Sequence, residues 1–183
     1  ARHAAAGAHA LVVAVEYRLA PEHPFPAGLD DCVGVVRWLA ESAAGLRADP
    51  DRIVLGGASA GANLAAASLV AAPDLPVAGL ILHVPALDLT VETLRAAVGE
   101  GDGAAFATLL AAGVERYLGS SGVPPTDARV SPLLADLDAL ASRWPPTHVF
   151  TAGLDPLQHE GRRFVERLRA VGVPVWEHHY DGA

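Results

Sequence analysis

The 183-residue sequence has no methionine and a single cysteine, Cys32, and only 5% of its residues are aromatic. One cysteine excludes an intramolecular disulfide, and nothing near Cys32 suggests an activated thiol. No apolar stretch approaches the roughly 20 residues that span a bilayer, and the start of the sequence lacks the apolar core of a signal peptide. We therefore expect a cytoplasmic protein with no membrane partner.

Basic residues are outnumbered by acidic ones, which gives a formal net charge of −8. A chain with this charge is not expected to bind nucleic acid or an anionic membrane surface. The sequence also lacks a P-loop and a G-x-G-x-x-G pattern, and its histidines show no convincing metal-ligand spacing. We therefore expect no cofactor and no metal.

Apolar runs alternate with helical patterns along the chain, half of which is hydrophobic (51%). Short runs predict strands at 10–15, 53–56, 77–82 and 147–152, and another that begins at Val173. Helical spacing predicts helices over 29–44, after Ser59 and over 161–170. This alternation is typical of an α/β fold with a mostly parallel sheet flanked by helices.

Residues 88–146 interrupt the alternation with two helical patterns, around 91–98 and 104–118, and a Gly/Ser/Pro-rich loop at 119–125. We interpret 88–146 as an inserted, mainly helical segment within a single domain that covers 1–183. A chain of this length can bury a sizeable core.

The pentapeptide G-A-S-A-G at 57–61 lies between an apolar run and a helical pattern. G-x-S-x-G in this position indicates a nucleophile elbow, in which a tight strand-to-helix turn exposes the serine, here Ser59. Gly57 and Gly61 would keep side chains away from the turn, and the backbone N–H of Ala60 could supply half of an oxyanion hole. The alternative is a turn of small residues that caps a helix.

A serine nucleophile needs an acid and a base, in the chain order Ser, Asp or Glu, His. Asp155 follows a predicted strand and is the candidate acid, although it could instead cap the next helix. Asp88, after an earlier strand, is a second candidate that is more typical of a cap. None of the eight histidines fits the order well. His178 and His179 fall within the last strand.

Four segments resemble the hormone-sensitive-lipase-like (bacterial class IV) esterases, a family of α/β-hydrolases. They read Y-R-L-A-P-E at 17–22, G-G-A-S-A-G-A-N-L-A at 56–65, R-V-S-P-L at 129–133 and G-L-D-P-L at 153–157. The resemblance implies an α/β-hydrolase fold, with Ser59 as nucleophile and Asp155 as triad acid. It also implies hydrolysis of small or medium acyl esters through an acyl-enzyme, with 88–146 contributing a helical cap. A homodimer is compatible with this fold.

The sequence departs from the family pattern at both ends. The H-G-G-G oxyanion segment would precede residue 1, and the family histidine would lie about two residues beyond Ala183. We therefore expect a partial sequence, without the N-terminal strands and the histidine segment, that folds poorly and is inactive alone. Within the chain, Ala58 replaces a common aspartate and His159 a common acidic residue. Two alternatives stay open: a non-catalytic ligand-binding protein of the same fold, and an amidase or formamidase.

Overall fold

The computed structural model describes residues 2–97 and 102–183. Seven helices and four strands lie in these ranges, with single 3-10 turns at Pro50–Arg52, Pro132–Leu134 and Ala141–Arg143. The helices are α1 (Arg2–Ala8), α2 (Ala27–Ser42), α3 (Ala60–Ala71), α4 (Glu92–Ala97), α5 (Asp102–Leu118), α6 (Leu137–Leu140) and α7 (Gln158–Ala170). The strands are β1 (Val54–Ala58), β2 (Gly79–His83), β3 (Thr147–Ala152) and β4 (Val175–Tyr180).

The four strands form one parallel sheet in the order β1-β2-β3-β4. Leu55 is opposite Leu80, and Leu82 is opposite Val149, so that apolar side chains of neighbouring strands lie on the same face. Parallel strands need crossover connections, which α3 and α7 supply in two of the three cases. The predicted parallel α/β sheet flanked by helices is confirmed.

Helix α3 lies in the middle of the molecule, and all of residues 62–69 are buried. Most of these residues are alanine or leucine, and a helix that is apolar on every side is stable only when it is surrounded by other elements. Helix α7 is amphipathic, and it turns Phe164, Val165 and Leu168 into the core. Both helices pack on the sheet face that carries Leu80 and Leu82.

The opposite face of the sheet carries a row of stacked rings from β2, β3 and β4. His83 stacks on Phe150 at 4.4 Å, and Phe150 on His178 at 4.4 Å between ring centroids. His148 continues the row, with Trp176 at 4.7 Å. Within the described ranges, these side chains are half-buried or exposed, in contrast to their buried neighbours on the helical face.

The strand predicted at 10–15 is wrong, because these residues lie outside every strand. The run is apolar, yet Leu11, Val12 and Val13 are all exposed. A strand needs a neighbouring strand for its backbone hydrogen bonds. Among the described residues, β1 is an outermost strand that is paired only with β2, so residues 10–15 are not paired with it. The segment instead borders a cavity of about 540 Å³ that α2 lines on its other side.

The predicted helical patterns in 88–146 correspond to α4 and α5, although residue 98 of the first lies outside the described residues. Leu94 of α4 and Val114 and Leu118 of α5 form one apolar cluster with Leu29 of α2 and with Phe25, which lies just before that helix. None of the helices in the described ranges is long and apolar enough to cross a membrane.

Candidate active site

Ser59 lies at the junction of β1 and α3 with φ 52° and ψ −115°, a backbone conformation that non-glycine residues rarely adopt. Such a conformation costs on the order of 1–3 kcal/mol and persists only where the surrounding structure imposes it. Here the Ser59 amide donates to the His83 carbonyl at 2.9 Å, and the Ser59 carbonyl accepts from the Asn63 amide at 3.0 Å. These bonds join the turn to β2 and to α3, and they leave the Ser59 side chain exposed.

The two glycines of the pentapeptide have different surroundings. A Cβ atom on Gly57 would collide with the carbonyl group of Gly61 and would lie 2.7 Å from the Ala62 nitrogen. A Cβ built on Gly61 would have no described atom within 4 Å outside the adjacent residues and the backbone of its own helix. Close approach of strand and helix therefore requires glycine at 57 alone. Ala60 is the first residue of α3, so its N–H has no acceptor within the helix.

Asp155 follows β3 and is half-buried, and it lies three residues before α7 begins at Gln158. Its Oδ1 accepts from the Leu157 amide at 2.8 Å, which holds the loop before the helix. Because β1 and β3 are parallel, Ser59 and Asp155 both lie beyond the carboxyl ends of their strands. The two residues therefore share one edge of the sheet, with only β2 between their strands.

The Asp88 carboxylate is fully engaged elsewhere. It accepts from the backbone amide and the hydroxyl of both Thr90 and Thr93, at 2.5 to 3.1 Å. Burial by itself would raise the pKa of Asp88, but these hydrogen bonds outweigh it and hold the pKa below its ordinary value. Asp88 is thus an ionised cap at the start of α4, and Asp155 is the better placed of the two candidate acids.

The histidines of β4 have contacts with side chains other than those of Ser59 and Asp155. His178 lies 3.0 Å from His148, and His179 lies 2.9 Å from the Thr151 hydroxyl and 3.1 Å from Asp181. The turn after β4 comes closer, because the Leu154 amide donates to the Ala183 carbonyl at 2.9 Å. This turn therefore runs beside the loop that carries Asp155.

Two buried polar residues of this region were not predicted as site residues, although Asn63 lies in the segment 56–65 that carries the family resemblance. Asn63, one helical turn after Ser59, donates from Nδ2 to the Ala86 and Val130 carbonyls at 2.8 and 2.9 Å. Glu160, in the first turn of α7, accepts from the Leu87 and Asp88 amides. Apart from the position of Asn63 in that segment, the sequence signal of these two residues is a polar side chain on an otherwise apolar helix face. Within the described part of the chain, no cluster of three or more His, Cys, Asp or Glu could hold a metal.

A serine on a strained strand-to-helix turn, with a carboxylate beyond the carboxyl end of another strand of the same parallel sheet, defines a molecule of the α/β-hydrolase class. The family model of the alpha/beta hydrolase fold matches residues 1–183. Carboxylesterase NlhH of Mycobacterium tuberculosis is 39% identical over 185 residues, which cover 96% of this chain and 56% of NlhH. Esterase LipI of the same species is 37% identical over 185 residues, which cover 97% of this chain and 55% of LipI.

A solved structure is similar over the whole chain. The hyperthermophilic esterase from Pyrobaculum calidifontis matches with a TM-score of 0.86 and 34% identity, covering 100% of this chain and 60% of that chain. The chain therefore belongs to the α/β-hydrolase fold family, and the resemblance to its hormone-sensitive-lipase-like branch is confirmed. It spans about half the length of the curated relatives that it matches.

Proposed function

We propose that the protein is a serine carboxylic-ester hydrolase that acts through an acyl-enzyme on small or medium acyl esters. The observation that carries the proposal is the exposed Ser59 hydroxyl on its strained turn, at the sheet edge that it shares with Asp155. The relatives support it, since those compared above are named as esterases. They favour ester hydrolysis over a purely ligand-binding role or an amidase.

In the proposed reaction, the base takes the Ser59 hydroxyl proton as the Ser59 oxygen attacks the ester carbonyl carbon. It then gives that proton to the alcohol, which leaves as the ester C–O bond breaks. Water then attacks the acyl-enzyme and releases the acid and free Ser59. The Ala60 N–H, at the positive end of α3, would donate to the oxyanion. Asp155 would orient the base and stabilise its charged form. We propose that this base is a histidine that follows Asp155 and β4 in chain order, because the turn after β4 runs beside the Asp155 loop.

The remaining expectations belong to the same proposal. Segment 88–146, which carries α4 and α5, would form the cap over the acyl pocket. The acidic net charge disfavours a nucleic-acid partner, the single cysteine is compatible with a cytoplasmic location, and a homodimer stays compatible with the fold.

The experiment compares Ser59→Ala with Ser120→Ala, an exposed serine beyond α5, in the protein expressed from its whole coding sequence. Hydrolysis of p-nitrophenyl acetate and butyrate should fall about 10,000-fold in Ser59→Ala, because the nucleophile is lost. Ser120→Ala should match the unmodified protein. Asp155→Asn should lose a similar factor through kcat, since an asparagine cannot hold the base in the required tautomer.

Three results would count against the proposal. Turnover that survives Ser59→Ala would exclude this serine as the nucleophile. Absence of ester turnover with cleavage of an N-formyl amide would identify an amidase. Absence of both, with ester binding retained, would leave a binding protein on a hydrolase fold.

A further inference from the structure

Glu160 is an acidic side chain with no solvent exposure, and the mechanism proposed above does not use it. Its Oε2 atom accepts from the Leu87 amide at 2.6 Å and from the Asp88 amide at 2.9 Å. Its Oε1 atom is buried and has no partner among the described residues. Burying a carboxylate in this way is costly, so a fold that retains it must use the two hydrogen bonds.

The loop that Glu160 binds, residues 86–89, is held by side chains from three elements. Besides Glu160 of α7, Asn63 of α3 donates to the Ala86 carbonyl at 2.8 Å. Ser131, in the segment before α6, accepts from the Leu89 amide at 2.8 Å. Each of these polar contacts is buried, where an unmade hydrogen bond is most costly.

One end of this network is the turn at Ser59. The Ala86 amide approaches the Ser59 carbonyl at 3.5 Å, and the Asn63 amide donates to the same carbonyl at 3.0 Å. The other end is the Asp155 loop, because Glu160 lies on the first turn of the helix that follows it. The path from Asp155 to Ser59 thus runs through Glu160 and residues 86–89.

We propose that Glu160 is a positioning residue for ester hydrolysis: its carboxylate fixes residues 86–89 and so sets the placement of the Ser59 turn relative to the Asp155 loop. This inference rests on the proposed function. The hydrogen bonds depend on the reach of the side chain, since Oε2 accepts both amides at once. Reach and charge can therefore be separated by substitution.

The electrostatic surroundings of Glu160 indicate that the position of its acceptor atoms matters more than its charge. Burial raises the pKa of Glu160 to about 7, the two backbone amides oppose this shift, and the facing carboxylates Asp88 and Asp155 add to it. No described cation is hydrogen-bonded to Glu160. A carboxyl group kept in surroundings that disfavour its charge is retained for its acceptor atoms.

The experiment compares Glu160→Asp, Glu160→Gln and Glu166→Asp in the protein expressed from its whole coding sequence. Aspartate keeps the charge but withdraws the acceptor by one methylene, whereas glutamine keeps an acceptor oxygen in place without the charge. Glu166 is an exposed residue of the same helix and is the matched control. Active sites are counted with a fluorophosphonate, and kcat and KM are measured on p-nitrophenyl acetate.

Glu160→Asp should lower kcat per active site about tenfold or more with KM nearly unchanged, because small displacements of reacting groups are costly. Glu160→Gln should restore kcat to within about threefold of the unmodified protein, and Glu166→Asp should leave it unchanged. An effect on stability alone would not alter kcat per titrated site. Unchanged kcat in Glu160→Asp, or equal impairment in Glu160→Gln, would overturn the inference.

A protein that hydrolyses no ester would refute the proposed function but not the contact itself. Hydrogen exchange of the Leu87 and Asp88 amides then tests the positioning. We expect faster exchange of both amides in Glu160→Asp and protection close to that of the unmodified protein in Glu160→Gln. Unchanged protection in Glu160→Asp would overturn the inference independently of any enzymatic assay.

Discussion

The backbone of Ser59 is strained because β1 and α3 approach each other more closely than an ordinary turn allows. That approach depends on Gly57, where a Cβ atom would occupy the position of the Gly61 carbonyl. The strain lifts the serine above the sheet edge, where its side chain is exposed. At the scale of single residues, the absence of a Cβ atom on Gly57 determines the geometry of the turn.

Gly57→Ala and Gly61→Ala make the same chemical change on the two sides of Ser59. Gly57→Ala should lower the free energy of unfolding by about 3 kcal/mol, because only a backbone shift could relieve the collision. Gly61→Ala should be neutral or stabilise by up to about 1 kcal/mol, since it adds a good helix former to α3. Urea unfolding followed by circular dichroism measures both.

The comparison is informative because both variants carry alanine in the same motif. Equal losses of stability in the two variants would contradict this account of the turn. A Gly57→Ala protein as stable as its parent would show that strand and helix can separate without cost.

Helix α4 is short, and its stability depends on the residues that precede it. The Asp88 carboxylate binds two backbone amides and two hydroxyls of Thr90 and Thr93, and thus caps the helix start. Helix α6 has a weaker cap, in which exposed Asp136 accepts one hydrogen bond from Ala139 at 3.2 Å. The two caps differ in burial and in number of bonds.

Asp88→Ala should destabilise the protein by about 2 kcal/mol at neutral pH, and the matched Asp136→Ala by less than about 1 kcal/mol. The folded state lowers the pKa of Asp88 from its ordinary 3.8. The stability that the ionised Asp88 contributes is therefore present above pH 3.8 and is lost as the pH falls below it. The difference in the free energy of unfolding between Asp88→Ala and the unmodified protein should therefore become smaller in acid. Urea unfolding at several pH values measures it.

If the difference in the free energy of unfolding between Asp88→Ala and the unmodified protein stayed constant across the acid range, the Asp88 charge would contribute nothing to the cap. Equal effects of Asp88→Ala and Asp136→Ala would mean that burial and bond number do not matter there.

The elements that could be predicted from the sequence are those that depend on the residues of the segment itself. Apolar runs that are flanked by turns gave three of the strands within two residues, because their side chains alone favour a buried strand. The run at 10–15 has the same composition but is exposed, since a strand also requires a partner that periodicity does not reveal. The hydrogen bonds of Asn63 and Glu160 were also beyond prediction, because their acceptors and donors lie 23 to 73 residues away in sequence.

On the scale of the whole molecule, the parallel topology brings the candidate site together. Once β1 and β3 are assigned to one parallel sheet, Ser59 and Asp155 must lie at the same edge, so their proximity could be predicted before any coordinates. The base could not be placed by the same argument. The histidines of β4 pair with β3 side chains and not with Asp155, and pairing of that kind depends on strand register.

The same topology leaves apolar surface exposed in chain 1–183. Among the described residues, Val54 on the edge strand β1 is 56% exposed, Trp176 is 48% exposed and Leu11 is 54% exposed. An unpaired strand edge next to exposed apolar side chains is typical of a sheet that associates with other chains or remains loosely packed. The helical face of the sheet, by contrast, is covered by α3 and α7.

We therefore expect chain 1–183, expressed by itself, to unfold over a broad range of urea concentration and to bind a fluorescent apolar dye strongly. Ester turnover per mole should be far below that of the protein expressed from its whole coding sequence, which serves as the control. The physical reason is that α3 and α7 stabilise only one face of the sheet. In the described part of the chain, β1 is paired on one side only, and residues 10–15 belong to no strand. A sharp unfolding transition together with turnover equal to the control would show that the four-stranded sheet is sufficient for both stability and catalysis.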